Sequence, residues 1–224
     1  MKKRTGNAIL WIVFALLALL LAGGCSTASK TYLLNFNYNP AAVQPYITFA
    51  DKPVTVAVYQ FEDVRPDRLY LGRRVYPDGT ADFYKPDAGT VEQVVTKSMV
   101  RLLEKAGFKV VTVNQYLDSK KIDFKDVPGD AAFGGKIENL WVEAKKSQYQ
   151  FTDTNAQIKL AVAWGVVKDG TWLRRMIEGS VKETKRTWYQ PENAEDRINE
   201  VFKDGQDKLL KDEIELKEKW LGGK

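Results

Sequence analysis

The chain has 224 residues, 34 of them basic and 29 acidic, with a formal net charge of +5 and no histidine. Without an imidazole it lacks the most common general base, metal ligand and neutral-pH proton switch, which excludes a Ser-His-Asp triad and a histidine-built zinc site within the chain. A single cysteine, Cys25, excludes an intrachain disulfide. Paired-carboxylate glycoside chemistry and an oxygen-lined calcium site are not excluded, although no D-x-D-x-D-G loop occurs.

In chain order, Lys2, Lys3 and Arg4 precede an unbroken apolar run from Ala8 to Leu21, and Ala22-Gly23-Gly24-Cys25 follows. A positive start, a short apolar core and small residues are the order of a secretory signal. The run is shorter than the roughly 20 residues that span a bilayer. With a cysteine directly after the small residues, the segment resembles a bacterial lipobox, with Ala22 in the place where Leu, Val or Ile is usual. The resemblance implies that residues 1–24 are a lipoprotein signal peptide. It also implies that Cys25 carries a covalent diacylglycerol and an N-acyl chain such as palmitate, because a single acyl chain binds a membrane only marginally. An ordinary cleaved signal and an uncleaved anchor helix are the other readings of this run. Ser26 stands where an Asp would resemble an inner-membrane retention signal, so the implied address is the periplasmic face of the outer membrane of a Gram-negative bacterium. Residues 1–24 hold three basic and no acidic side chains, leaving 31 against 29. That balance lacks the concentrated positive charge of a nucleic-acid binder.

Residues 25–53 read as a lipid-anchored tether. A possible short strand lies at Thr31–Phe36, with Pro40, Pro45 and Pro53 as punctuation. Residues 54–224 read as a single α+β domain. Val54–Phe61 is a β-branched and aromatic strand, apolar on both faces and therefore central. From Glu62 to Gly89 an excursion hairpin is expected around Pro77-Asp78-Gly79, a turn signal. Thr90–Ala106 is a helix, with Thr90 and Gln93 forming a capping box and Gly107 the left-handed stop. Phe108–Val113 returns as a strand, completing a β-α-β crossover. Gly135–Ala144 is a strand with an irregular period that suggests a bulge. Ala156–Val166 alternates without a miss, and Trp172–Thr184 pairs back after Lys168-Asp169-Gly170. A last helix is expected from about Glu195, capped by Asn193. The expected architecture is a mostly antiparallel sheet with two helices packed on one face.

Several motifs in this order carry a resemblance. A lipobox-like start comes first, then a strand followed by Asp63-Val64-Arg65. A helix ends in Leu-x-x-x-Gly-Phe at Leu103–Phe108, and Gly-x-Ile-x-x-Leu-x-Val at Gly135–Val142 precedes two long alternating strands. The order is similar to that of YajG-type lipoproteins of Gram-negative envelopes. That resemblance implies a compact α+β domain at the outer membrane without an established catalytic site.

The candidate contact residues lie in the excursion. Arg65, Arg68, Tyr70, Arg73, Arg74, Tyr76 and Tyr84 combine arginine and tyrosine, both enriched at protein interfaces. Asp63 and Arg65 also read as a local ion pair, and the remaining arginines as partners for Asp67, Asp78 and Asp82. Trp141, Trp164 and Trp172 lie in or beside strands, where large aromatics pack. The expectation is a non-enzymatic envelope protein with no metal and no cofactor beyond the lipid on Cys25. Its partners would be the membrane and another envelope protein. A lipid or glycan carrier is the alternative, and a carboxylate hydrolase using Asp63 or Glu178 a third reading.

Overall fold

The computed structural model describes residues 29–36, 54–185 and 188–220, with 210–220 described as backbone only. The expected signal peptide, Cys25 and most of the tether lie outside the described residues. Nine strands join in one sheet: β1 Thr31–Leu34, β2 Thr55–Gln60, β3 Glu62–Asp63, β4 Gly72–Val75, β5 Ala81–Pro86, β6 Lys109–Tyr116, β7 Ala131–Lys146, β8 Thr152–Val166 and β9 Thr171–Lys185. Among the described residues two α-helices accompany them, α1 Val91–Lys105 and α2 Pro191–Trp220.

The fold is α+β, but the sheet is mixed and not mostly antiparallel. The reason is the length of β7. Its sixteen residues accept three short strands in succession along one edge, β2 at Ala131–Phe133, β3 at Lys136–Ile137 and β4 at Val142–Lys145, all parallel. Its other edge carries β8, and β8 carries β9, both antiparallel. Two further parallel pairs, β2 with β6 and β1 with β5, complete the sheet. The excursion hairpin is present as β4 and β5, with Gly79 at φ +84° in the expected turn. It is built into the sheet through β7 on one side and β1 on the other.

Both helices cover one face. Val95, Met99 and Leu102 of α1 and Ile198, Val201 and Phe202 of α2 share a core with Val58, Phe133, Leu160 and Trp164. The Thr90–Gln93 capping box forms in both directions, and Gly107 takes φ +92°. The last helix begins earlier than expected. Pro191 opens it, and Asn193 sits inside the first turn, its Oδ1 accepting from Gln190 N–H at 3.0 Å. A side chain reaching back from the third helical position satisfies the cap backbone as a capping box does.

A smaller core lies on the opposite face, where Ala57, Tyr59, Val127 and Ala132 gather under Leu117, Phe124 and Trp172. Central β2 is therefore covered on both faces. A register shift between Tyr59 and Gln60 returns Phe61 to the main core, whereas strict alternation would group it with Tyr59. The bulge expected in β7 lies between Ile137 and Asn139.

Candidate contact surface and its supports

The β3–β4 connection is fixed by one buried ion pair. Between the stretches of β7 that pair with β3 and β4, residues 138–141 have no ladder partner on that side. Arg65 fills this gap. Its Nη1 donates to Leu140 O at 2.8 Å and to Tyr70 O at 3.0 Å. Nε and Nη2 grip the two Asp63 oxygens at 2.9 and 2.8 Å. Both side chains are 3% exposed. A bidentate guanidinium–carboxylate pair with its remaining donors on carbonyls meets the conditions under which a buried charge is tolerated. Arg65 is thus a structural residue, which corrects its place among the exposed contact residues. The ion-pair reading of Asp63 and Arg65 describes what they do.

Tyr84, 1% exposed, is also removed from the contact set. It belongs to an inward cluster between β4, β5 and the start of α2. There the Arg74 guanidinium lies 5.0 Å from the Tyr76 ring and 4.8 Å from the Tyr189 ring, and Nη1 donates to Tyr189 O at 3.2 Å. Tyr76 donates its hydroxyl to Asp82 Oδ2 at 2.6 Å. Burial, reinforced by that carboxylate, pushes the Tyr76 phenol up to about 12. Burial likewise raises Tyr84 and Tyr189. Arg74 and Tyr76 are only partly exposed and serve mainly to fasten α2 to the hairpin.

The other face of the same strands is open. Register puts Thr31 beside Phe83, Leu33 beside Lys85, and Arg73 between Phe83 and Glu143. Tyr70 stacks on Phe83 at 4.5 Å with Lys85 Nζ 5.1 Å above its ring. Arg73 meets Glu143 Oε1 at 2.7 Å. Burial works against ionisation of Glu143, yet the hydrogen bonds from Lys145 and Arg73 hold it below the usual carboxylate range. Leu33 is 63% and Leu69 58% exposed, and Arg68 is exposed beside them in sequence. Of the seven expected contact residues, Arg68 and Arg73 are exposed and Tyr70 is partly exposed on the open face. Leu33, Leu69 and Lys85 were not singled out by the sequence. The signal for Leu33 was available: in Thr31–Leu34 alternation opposes it to Tyr32 and Leu34, leaving one leucine on the solvent side.

The expected pairings of arginines with Asp67, Asp78 and Asp82 do not form. Asp67 caps the backbone N–H groups of Leu69 and Tyr70. Asp78 accepts from Thr80. Asp82 takes Tyr76 and the Lys30 N–H. Trp164 is buried against Phe133 at 4.2 Å, and Trp172 stacks on Phe124 at 4.9 Å. The space between sheet and helices is packed by the main core. Two surface grooves of about 380 and 540 Å³ are lined largely by polar side chains, such as Asp87, Gln93, Lys97 and Arg101 in the first and Lys159, Glu178, Asp204 and Lys208 in the second. No group of acidic residues among the described ones is arranged to hold a metal. No described helix is long and apolar enough to cross a membrane.

No protein-family model matches the sequence, and no curated protein matches it significantly. Some solved structures resemble this chain weakly. A Xanthomonas campestris protein of the DUF330 family is 11% identical over 82% of this chain and 92% of its own, with a TM-score of 0.45. A neuraminyllactose-binding hemagglutinin homolog from Helicobacter pylori is 14% identical over 84% and 97%, with a TM-score of 0.45. Lipoprotein GNA1162 from Neisseria meningitidis is 11% identical over 71% and 99%, with a TM-score of 0.39. At such identities and scores the likeness says nothing about activity, ligand or partner.

Proposed function

We propose that this chain is a non-enzymatic lipoprotein of the bacterial envelope, moored through acylated Cys25 at the periplasmic face of the outer membrane. In this reading the open face of β1, β5 and β4 receives another envelope protein. The YajG-like order of motifs belongs to the same proposal. The observation that carries the contact surface is its composition. Leu33 stands exposed beside Lys85, and Leu69 beside Tyr70 in the chain, by the Tyr70–Phe83 stack. Arg73 and Lys85 lie next to that stack. An apolar and aromatic centre with a cationic rim is the make-up of a binding surface. The absence of histidine supports the non-enzymatic reading, as does the capture of Asp63 by Arg65. Glu178, the other candidate carboxylate, faces Lys159 at 3.3 Å.

Two experiments test the two halves. In the first, Cys25→Ser moves the protein from the membrane pellet to the soluble periplasmic fraction. A variant that is processed normally and still pellets contradicts the anchor. In the second, a photo-crosslinking residue is placed at Leu33 or Phe83 in living cells and captures an envelope protein, and Tyr70→Ala with Leu69→Asp abolishes the adduct. A normally folded protein giving no adduct at either position contradicts the contact surface.

A further inference from the structure

The register brings one end of the sheet into a single row. Thr31, Phe83, Arg73, Glu143, Asn155 and Lys182 are successive neighbours across β1, β5, β4, β7, β8 and β9. Beyond that row, on the same side, lie the Tyr76–Thr80 turn, the Ser147–Phe151 turn and the exit of β9 toward α2. The chain also enters the sheet here. Lys30 N–H donates to Asp82 Oδ1 at 2.9 Å, and Lys30 O accepts from Phe83 N–H at 2.8 Å. The chain is therefore fastened up to Lys30, and only five residue steps separate it from Cys25. Fully extended, these reach at most about 18 Å.

This end also carries the two most solvent-exposed large aromatic side chains of the described residues, Trp188 at 92% and Tyr149 at 81%. Each adjoins a fastened part of the chain. Tyr149 tips a turn closed by Ser147 N–H to Phe151 O at 2.7 Å and by Phe151 N–H to Ser147 Oγ at 3.2 Å. Trp188 adjoins Tyr189, which is buried at 8% exposure under Arg74. Tryptophan and tyrosine pair an apolar ring with one polar group and favour the headgroup level of a bilayer over either water or hydrocarbon.

We infer that this end of the sheet rests on the phospholipid surface, with Trp188 and Tyr149 at headgroup level. The inference rests on the anchoring proposed above and adds an orientation to it: a tether this short leaves the sheet end against the bilayer. Lys30, Lys145, Lys146 and Lys182 are exposed here against Asp78 and Asp153. Anionic lipid therefore adds to the aromatic contact, and salt weakens that added part.

Because Cys25 is the only native cysteine and is acylated in this reading, an introduced cysteine is a unique labelling site. Acylated full-length protein carrying Gln148→Cys or Gln190→Cys with an environment-sensitive fluorophore is reconstituted into phosphatidylethanolamine–phosphatidylglycerol vesicles containing headgroup-level spin-labelled lipid. The control is Asp169→Cys, at the opposite end of the β8–β9 hairpin, whose strands are fifteen residues each, about 50 Å away. The inference predicts blue-shifted, quenched emission at both test sites, none at the control, and weaker quenching on adding Trp188→Ala with Tyr149→Ala. Vesicle-bound protein with all three sites equally unquenched overturns the orientation and leaves the anchor standing. Protein that does not pellet with vesicles overturns the anchor and the orientation with it.

Discussion

At the scale of single residues, the arginines of the excursion differ in role because they differ in burial. Arg65→Ala strands the Asp63 carboxylate and Leu140 O in the interior. Removing one member of a buried pair costs about 3–5 kcal/mol, to be read from denaturant unfolding of the mature domain. Arg73→Ala, at a half-exposed pair, costs less than about 1 kcal/mol. The Asp-x-Arg spacing was visible in the sequence and so was its ion-pair reading. Its burial was not, because the need for a guanidinium there arises from a gap in the ladder of β7, 75 residues away. Tyr76 gives a pH dependence whose sign follows from its environment. Its folded value is raised from 10.0 to about 12, so the folded state holds a proton that the unfolded chain releases. Its contribution is complete below pH 10 and is lost as pH rises toward 12. Unfolding followed across that window should show falling stability, with a shallower fall for Tyr76→Phe.

At the scale of elements, local signals located what local physics determines. Helix α1 has its capping box as expected, and Thr90→Ala should destabilise the domain by about 1 kcal/mol. The alternating stretch of β8 and the bulge in β7 were readable from side-chain period alone. A period of two is the same for parallel and antiparallel neighbours. Strand direction was therefore readable only where the connection gave it, as in the parallel β2–β6 crossover pair and the antiparallel β8–β9 hairpin. It was not readable for β2, β3 and β4 against β7. The early part of β7, Ala131-Ala132-Phe133-Gly134, has little alternation to read, yet it is where β2 docks. Close packing along β7 also sets a steric requirement at Gly72. A Cβ there would lie 1.9 Å from Val142 O. Gly72→Ala must push β4 off β7, with a cost of about 1–3 kcal/mol as for other overpacked sites and faster amide exchange in β4 and β5. Gly72→Ala leaving stability and exchange unchanged would contradict the parallel β4–β7 pairing.

At the scale of the whole molecule, the sheet has a covered face, an open face and a distinct end. Helices cover the main core, the loop after β6 covers β2 from the other side, and the strip around Tyr70 and Phe83 stays open to solvent. The sequence showed that this neighbourhood was rich in arginine and tyrosine. It did not separate the inward residues Arg74, Tyr76 and Tyr84 from the outward Arg73, Phe83 and Lys85, because that division depends on how β4 and β5 register with β1 and β7. The charge-then-apolar start ending at Cys25 is read from linear sequence alone and lies outside the described residues. Mooring at that cysteine is the premise of both the contact face and the membrane-facing end. The direct measurement is the intact mass and N-terminal peptide mass of the mature protein purified from membranes. The account predicts a chain beginning at Cys25 and carrying a diacylglycerol and an N-acyl group. A chain with a free thiol at Cys25, whether or not residues 1–24 have been removed, contradicts it.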